Sequence, residues 1–326
     1  MELLTYFKSM SQGMLEIFFL GLVGFILVRR KILSQEGLAG LTSFFIDISF
    51  PALIFWQIVT RFNFRLYPDW WLFPLASLAI TALGLSVGYL FSLSLENAQG
   101  KREFICLVGF QNSGYLPLVL LNWIVPKEQL GQMLIYLFLF LLSFNLVIWS
   151  WGVYFLSAHK LRQFSLASFL SAPVIAMLLG LGFVFLNIVR FLPQFILSPL
   201  AALGNCSFPL AMVVVGASLA ELYNLKGVES KAAASNGAIL KLVLAKLIVL
   251  PLLGLLFIKH FKITYLVGLL IILELAVPSA TNLAIISRRY SQKDEIISRG
   301  IFISHIASLI TLPLALAAFN LIVFSR

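Results

Sequence analysis

Long apolar stretches, separated by short polar segments, run along the whole chain. Ten of them reach the length of about 20 residues that a helix needs to cross a bilayer core of roughly 30 Å. In chain order, these predicted spans 1 to 10 cover residues 10–29, 39–60, 70–93, 103–124, 132–157, 168–190, 194–220, 236–258, 264–286 and 297–323. The pattern therefore predicts an all-α integral membrane protein with ten transmembrane helices joined by short connections.

Spans 4 and 9 carry polar residues and proline at mid-membrane depth. Span 4 contains GFQNSGYLPLVLL at residues 109–121, and span 9 contains PSATN at residues 278–282. Pro117 cannot donate a backbone hydrogen bond and Gly114 lowers the local helix propensity, so span 4 is predicted to break there. Pro278 predicts a matching break in span 9. Unsatisfied backbone groups are costly in lipid, so such breaks persist only where they are buried in protein or line a wet cavity.

A short internal similarity relates the two halves of the chain. The tripeptide Ser-Phe-Pro occurs at residues 49–51 in span 2 and again at residues 207–209 in span 7. This match pairs span 2 with span 7, and the two breaks pair span 4 with span 9, as a duplication of five spans requires. Because five is an odd number, the second copy must enter the membrane from the other side. We therefore expect two inverted five-helix repeats, at residues 10–157 and 168–323, which is an architecture of secondary transporters.

Composition and charge agree with a membrane protein. Hydrophobic residues make up 61% of the 326 positions and charged residues 11%. The net charge of +10 comes from Lys and Arg clustered between the spans, where they set topology and contact lipid headgroups, so nucleic-acid binding is not expected. Thirteen Lys and Arg belong to the loops after odd-numbered spans and eight to the opposite side. This bias predicts a multi-pass protein of the cell membrane with both termini outside.

Neither a metal nor a cofactor is expected. The two cysteines, Cys106 and Cys206, lie in apolar spans, where free thiols behave as small hydrophobic groups, and the three histidines are dispersed. An intramembrane enzyme is not favoured either. The run GASLA at residues 216–220 lacks the second glycine of a GxSxG motif, and the chain contains no HExxH.

Four runs along the chain resemble the auxin efflux carrier family, which includes bacterial permeases and the PIN-type and PIN-like carriers of plants. In order, they are GLVGFILVRRKILSQEGLAGLTSFFIDISFPALIF, GFQNSGYLPLVL, LGNCSFPLAMVVVGASLAEL, and LAVPSATNLAIISRRY followed by HIASLITLPLALAAF. The resemblance implies that the broken spans 4 and 9 cross near the midplane. It also implies a scaffold of spans 1, 2, 6 and 7, a mobile transport unit of spans 3–5 and 8–10, and elevator-like alternating access. We expect a homodimer that forms through the scaffold helices.

The polar residues at the two breaks are the predicted substrate site. Asn and Ser side chains can hydrogen-bond a substrate, and the N-terminus of a half-helix presents amides with positive partial charge to an anion. The expected substrate is therefore a small organic anion, in particular a carboxylate. The candidate substrate-binding residues are Asn112, Ser113, Gly114, Pro117, Pro278, Ser279, Thr281 and Asn282.

Three ionisable residues lie deep in predicted spans and are candidates for charge compensation or ion coupling. Asp47 lies about 12 Å into span 2, while Lys246 and Glu274 lie about 15 Å into spans 8 and 9. Ionised groups at such depth are costly unless paired, so they mark functional sites by default. The alternative is a Lys246–Glu274 ion pair that only ties spans 8 and 9 together. Span 3 has no Asp, Glu or Lys between Trp70 and Leu95; the charged support site expected from the plant carriers is missing, which argues against auxin itself as the substrate.

Two other kinds of membrane protein stay open. A sodium- or proton-coupled carboxylate symporter of the bile-acid carrier type shares the plan of inverted repeats and crossing helices. It would bind a cation through freed carbonyls and a carboxylate such as Glu274, one turn before Pro278. A transporter-like receptor is less favoured, because no soluble output domain is apparent in the sequence.

Overall fold

The computed structural model of the protein describes residues 2–95, 98–157, 170–224, 233–290 and 295–324. Within these ranges the chain is helical apart from short connections and forms no β-strand. The described residues contain a single isolated antiparallel bridge. The all-α prediction is therefore confirmed for the described residues. The predicted start of the second repeat, residue 168, lies outside them, as does Lys293, which contributes to the predicted orientation.

Eight α-helices are described in the first half of the chain. They are α1 (Glu2–Arg29), α2 (Gln35–Phe44), α3 (Phe50–Arg61), α4 (Leu72–Ser92), α5 (Ala98–Gly109), α6 (Tyr115–Ile124), α7 (Lys127–Val147) and α8 (Val153–Leu156). π-helical turns at Phe45–Ser49 and Ile148–Gly152 connect α2 to α3 and α7 to α8 without a loop. Each of these two pairs is therefore one continuous span with a local irregularity.

Eight more α-helices are described in the second half. They are α9 (Ala172–Phe185), α10 (Gln194–Asn205), α11 (Ser207–Asn224), α12 (Ala233–Leu244), α13 (Leu250–Phe261), α14 (Tyr265–Ala276), α15 (Asn282–Tyr290) and α16 (Glu295–Phe324). A third π-helical turn, Ala245–Val249, joins α12 to α13 and carries Lys246. α10 and α11 meet at Cys206.

Six helical segments in the described chain are long and apolar enough to cross a membrane. They are Gln35–Arg61, Leu72–Ser92, Lys127–Leu156, Gln194–Tyr223, Asn236–Phe261 and Ile296–Ile322. Four shorter apolar helices coincide with the remaining predicted spans: Ile17–Arg29, Tyr115–Ile124, Ala172–Phe185 and Tyr265–Ala276. In spans 4 and 9 the helices are short because the predicted breaks divide them. In span 6 the helix covers 172–185 rather than the predicted 168–190.

Glycines bring two pairs of helices into close backbone contact. A Cβ atom at Gly216 of α11 would lie 1.7 Å from the Gly21 carbonyl oxygen of α1. The second pair is α4 and α5, where a Cβ at Gly84 would lie 3.0 Å from the Cα of Gly109. Inside lipid, helices associate by van der Waals packing, which small residues strengthen by letting backbones approach. Each pair therefore packs as a tight unit.

The two Ser-Phe-Pro tripeptides meet in the interior. The hydroxyl oxygens of Ser49 and Ser207 lie 2.8 Å apart, and the Ser49 hydroxyl also lies 2.8 Å from the Leu203 carbonyl. Neither serine is exposed. The internal similarity seen in the sequence thus corresponds to a direct contact between α3, which follows Ser49, and the junction of α10 with α11.

Replacing Gly216 with alanine should lower thermal stability. The new methyl group would overlap the Gly21 carbonyl and force α1 away from α11, and overpacking of this kind costs about 1–3 kcal/mol. Gly182→Ala in α9 is the matched control, because a Cβ there would meet nothing within 4 Å. The measurement is thermal unfolding of both variants in detergent. A Gly216→Ala protein that melts with the wild type would contradict the close α1–α11 contact.

Candidate functional site

The two predicted breaks meet each other in the interior. The Asn112 amide donates to the Pro278 carbonyl at 2.8 Å, and the Ala280 amide donates to the Phe110 carbonyl at 3.0 Å. These two bonds form an antiparallel bridge between Gln111 and Ser279. Each break therefore supplies the other with one donor and one acceptor, so four backbone groups of the two breaks find partners within the protein.

We call the contact between the two breaks the crossing. Ser279 makes two further hydrogen bonds there. Its hydroxyl donates to the Leu107 carbonyl at 2.6 Å, and its amide donates to the Ser304 hydroxyl at 3.3 Å. The last carbonyls of an α-helix have no partner within the helix, and Leu107 lies in the last turn of α5. Ser279 thus ties the end of α5 and the middle of α16 to the second break.

His305 of α16 orients the Asn112 side chain. The His305 Nδ1 lies 2.8 Å from the Ile301 carbonyl, and its Nε2 lies 3.1 Å from Asn112 Nδ2. A carbonyl can only accept, so Nδ1 carries the proton of a neutral imidazole and Nε2 accepts from the Asn112 amide group. The tautomer is thus assigned from the hydrogen bonds. In this arrangement Asn112 Oδ1 is buried without a partner.

A cavity of about 110 Å³ adjoins the crossing. Five of the predicted substrate-binding residues line it: Asn112, Ser113, Gly114, Thr281 and Asn282. Buried polar atoms without a hydrogen-bond partner lie in the same lining, namely Gln111 Nε2, Asn112 Oδ1 and Ser113 Oγ. Buried polar groups are normally paired, so this cluster points to a ligand or water that completes it.

The other three candidates have structural positions. Pro278 and Ser279 form the crossing itself. Pro117 lies in the first turn of α6, where the missing N–H would have no helical partner in any case. None of the three lines the cavity.

Aromatic rings form much of the remaining cavity wall. The Phe45 and Tyr115 rings lie 5.1 Å apart between centroids, and Trp149 and Asn145 complete the side formed by α7 and its π-helical turn. Gln111, His305 and these wall residues are absent from the sequence-based prediction. Gln111 and Tyr115 had a usable signal, because they lie in the broken segment of span 4, whereas the others are brought in from distant spans.

A second, smaller cavity of about 60 Å³ lies against the same segment. It shares Tyr115, Thr281 and Asn282 with the first cavity and is otherwise lined by α2, α11 and α15. Its polar wall residues include Glu221, which accepts a hydrogen bond from Gln35 at the start of α2. The second cavity therefore extends from the second break between α2 and α11.

The electrostatics of the crossing come from helix ends and from two buried charges. α6 and α15 both begin at the breaks, so their N-terminal partial positive charges face the first cavity. Lys246 donates to the Val108 carbonyl at 3.1 Å. Glu274 is fully buried within electrostatic range of Lys246, and Ser113 and Gln111 are the side chains placed to hydrogen-bond its carboxylate. Neither carboxylate oxygen, however, makes a hydrogen bond of normal geometry.

Asp47 lies apart from this constellation. Its side chain is exposed on the π-helical turn that precedes α3, whereas the preceding residues Phe45 and Ile46 face the cavity. The carboxylate therefore points away from the crossing.

The comparison with known families agrees with this geometry. A family profile described as membrane transport protein matches residues 9–316, a range that includes both breaks and every candidate residue. The chain belongs to the membrane transport protein family. This is the family of the auxin efflux carriers, so the resemblance of the four sequence runs is confirmed. A search of curated proteins finds no match for the chain.

Membership in the membrane transport protein family sets the broad function. The protein is a multi-pass membrane transporter. Within that function, the crossing of α5–α6 with α14–α15 is the candidate site, because it combines buried unpartnered polar atoms, helix N-termini and a cavity.

Replacing Ser279 with alanine should destabilise the crossing. The change removes the bond to the Leu107 carbonyl and leaves that group buried without its partner, which costs about 1–3 kcal/mol. Ser287→Ala is the matched control: both serines are fully buried, but the Ser287 hydroxyl has no partner to lose. Thermal unfolding in detergent compares the variants. Equal losses of stability in the two would show that the Ser279 bond contributes nothing specific.

Proposed function

We propose that the protein is a secondary transporter that moves a small organic anion, in particular a carboxylate, by elevator-like alternating access. The observation that carries this proposal is the pair of broken helices that meet at a cavity with unpartnered polar atoms. A transporter needs a site that is incomplete without its substrate and that stands near the middle of the membrane. The polar atoms without normal hydrogen bonds and the position of the breaks within apolar spans support both properties for the crossing.

The site favours an anion on chemical grounds. The N-termini of α6 and α15 both face the cavity, and their partial positive charge stabilises negative charge. The donors Gln111 Nε2 and Ser113 Oγ, which lie beside Glu274 but make no hydrogen bond of normal geometry, are suited to carboxylate oxygens. The aromatic wall would pack against an apolar part of the substrate. The small cavity volume of about 110 Å³ favours a small molecule.

Helix pairing supports two inverted repeats. α1 packs on α11, and α9 packs on α3, so spans 1 and 7 contact each other as spans 6 and 2 do. In the same way, α4 of span 3 packs on α7 of span 5. In the second half, α12 and α13 of span 8 pack on α16 of span 10. A twofold relation between halves exchanges each pair with its counterpart. The Ser49–Ser207 contact places related residues next to each other, as expected near the axis of such a relation.

The same helix pairs support elevator movement. The tight α1–α11 unit would belong to a static scaffold, and the tight α4–α5 unit to the moving part. The cavity lies between the π-helical turn after α2 and the two breaks, so it stands at the border of the two parts. Movement of the breaks past this border would carry the site across the membrane.

A homodimer through the scaffold helices completes the proposal. Asp47 and Asn205 are exposed near the middle of their spans, on α2–α3 and α10. Polar groups that face lipid at such depth are costly, and a second copy of the chain would cover them.

Asn112→Ala should weaken substrate binding. The change removes a side chain that His305 holds at the cavity and costs about 1–3 kcal/mol, or roughly 5- to 150-fold in affinity. Ser298→Ala, at a buried serine of α16 outside the cavity lining, serves as the control. Screening labelled mono- and dicarboxylates by uptake into proteoliposomes identifies the substrate, and binding to the purified variants then gives the affinity. Unchanged affinity in folded Asn112→Ala protein would defeat the site assignment.

Transport should be electrogenic without a coupled ion. If Lys246 and Glu274 are both charged, they compensate each other, and a monovalent carboxylate carries one negative charge across. An interior-negative potential then favours export by about 2.3 kcal/mol per 100 mV, which sustains a gradient of about 50-fold. The measurement is current across a supported membrane after substrate addition, at several pH values and without sodium.

A coupled symporter is the second candidate, and one observation favours it. Neither Glu274 oxygen makes a hydrogen bond of normal geometry, although Ser113 and Gln111 lie beside the carboxylate, so a proton or a sodium ion could bind there. An electrically silent carrier that still moves a monovalent anion, and that stops when Glu274 becomes glutamine, would refute electrogenic uniport. Currents that need sodium would assign the coupling to that ion instead.

A further inference from the structure

A third cavity, separate from the site at the crossing, lies between α1, α6, α11 and α16. Its volume is about 210 Å³, and it shares no lining residue with the substrate cavity. Phe18 and Leu22 of α1 and Ile306 of α16 line its mouth and are 37–45% exposed on the outer surface of the protein. In a membrane protein that surface faces lipid, so the cavity opens sideways into the bilayer. We call it the lateral cavity.

The chemistry of the lateral cavity selects an apolar occupant. Among the described residues that line it, His305 and Ser308 are the two with polar side chains, and both already make hydrogen bonds within the protein. No side chain in this described lining offers an unused donor to a carboxylate. Hydrocarbon fits such a wall because it has no hydrogen bonds to lose on leaving the bilayer.

Basic residues stand at one end of the lateral cavity. The cavity follows α1 from Ile17 to Phe25, and the basic run Arg29–Lys31 begins one turn further on. The Arg29 guanidinium lies 5.2 Å from the centroid of the Tyr223 ring. Tyr223 in turn contacts Phe25 and Phe302, with ring centroids 6.2 Å and 5.6 Å apart. An aromatic cluster therefore connects the apolar wall to the cationic end.

The dimensions match one leaflet of a bilayer. Twelve residues separate Ile17 from Arg29, which is about 18 Å along a helix, while half of the hydrocarbon core is about 15 Å. An acyl chain that starts at the basic run would therefore reach the middle of the membrane at Ile17. Anionic headgroups are enriched in the cytoplasmic leaflet, where the Lys and Arg bias places this end of α1.

From these observations we propose that the lateral cavity binds one acyl chain of an anionic phospholipid, whose headgroup contacts Arg29–Lys31. The chain lies between the tight α1–α11 pair and α16. Along its length the chain passes His305, which holds Asn112 at the crossing. Lipid binding and the geometry of the candidate substrate site are thus joined through a single side chain.

The test is native mass spectrometry of the purified full chain with phosphatidylglycerol or phosphatidylcholine of identical acyl chains. The wild type should retain phosphatidylglycerol at least about fivefold better, because cationic residues attract the anionic headgroup. The double variant Arg30→Gln/Lys31→Gln should lose this preference. Arg190→Gln/Lys262→Gln, which removes the same charge at other exposed sites, should keep it. Equal retention of the two lipids by the wild type would overturn the headgroup assignment.

A second pair of variants tests the cavity itself. Leu22→Trp should fill the lateral cavity and reduce phosphatidylglycerol retention severalfold, while Val23→Trp should leave it unchanged. The two native residues are equally exposed, at 37% each, but only Leu22 lines the cavity. Equal retention by the two variants would overturn the proposal. If added oleate displaces the bound phosphatidylglycerol as efficiently as added phosphatidylglycerol does, that result would also overturn the proposal, because it would identify a free fatty acid as the ligand.

A third measurement needs no variant. Phosphatidylglycerol with a photoactivatable group in mid-chain should label residues 17–25 and 302–309 of the wild-type protein in preference to other exposed helices. Labelling spread evenly over the outer surface would contradict a specific site. In a separate experiment with a Leu22→Cys variant, a disulfide between two copies of the chain at residue 22 would place a protomer where we place the lipid and would also overturn the proposal.

Discussion

Backbone N–H and C=O groups inside a bilayer must find partners within the protein, and the rest of this structure depends on how two broken helices meet that constraint. Each break alone would leave amides and carbonyls unpaired at mid-membrane depth, where the loss is several kcal/mol per group. The reciprocal bonds between Asn112 and Pro278, and between Ala280 and Phe110, remove that penalty for both breaks at once. The crossing is therefore stable only as a pair, which explains why irregular backbone occurs in spans 4 and 9 together.

With these backbone groups paired, the polar side chains that remain unpaired indicate where a ligand could bind. Gln111, Asn112, Ser113 and Glu274 all keep buried polar atoms without partners, although Asn112 and Ser279 show that the same region can form good hydrogen bonds. Such groups reduce stability, so they persist where a ligand, water or ion uses them. The helix ends add positive potential at the cavity, and the Lys246 ammonium rests on a carbonyl near the end of α5.

Packing around the crossing separates the molecule into tight and loose contacts. Glycines hold α1 against α11 and α4 against α5 with almost no space between backbones. The cavities adjoin these pairs: α1 and α11 form part of the wall of the lateral cavity, and the substrate cavity begins just beyond the end of α5. A transporter that moves one group of helices past another needs this contrast, because rigid units transmit movement and the cavities between them can change shape. The positions of the cavities are thus consistent with membership of the chain in the membrane transport protein family.

Hydropathy and helix chemistry determined much of this protein from its sequence alone. The apolar stretches predicted the helices, and Gly114, Pro117 and Pro278 predicted the breaks, because these signals act within one or two helical turns. Only the tertiary structure decided which groups face one another. The pairing of Asn112 with His305 joins residues 193 positions apart, and the outward direction of Asp47 and the structural role of Ser279 depend on helix packing. A pattern read along one helix reports its depth and its irregularities, whereas partners and orientation are set by neighbouring helices that are remote in the sequence.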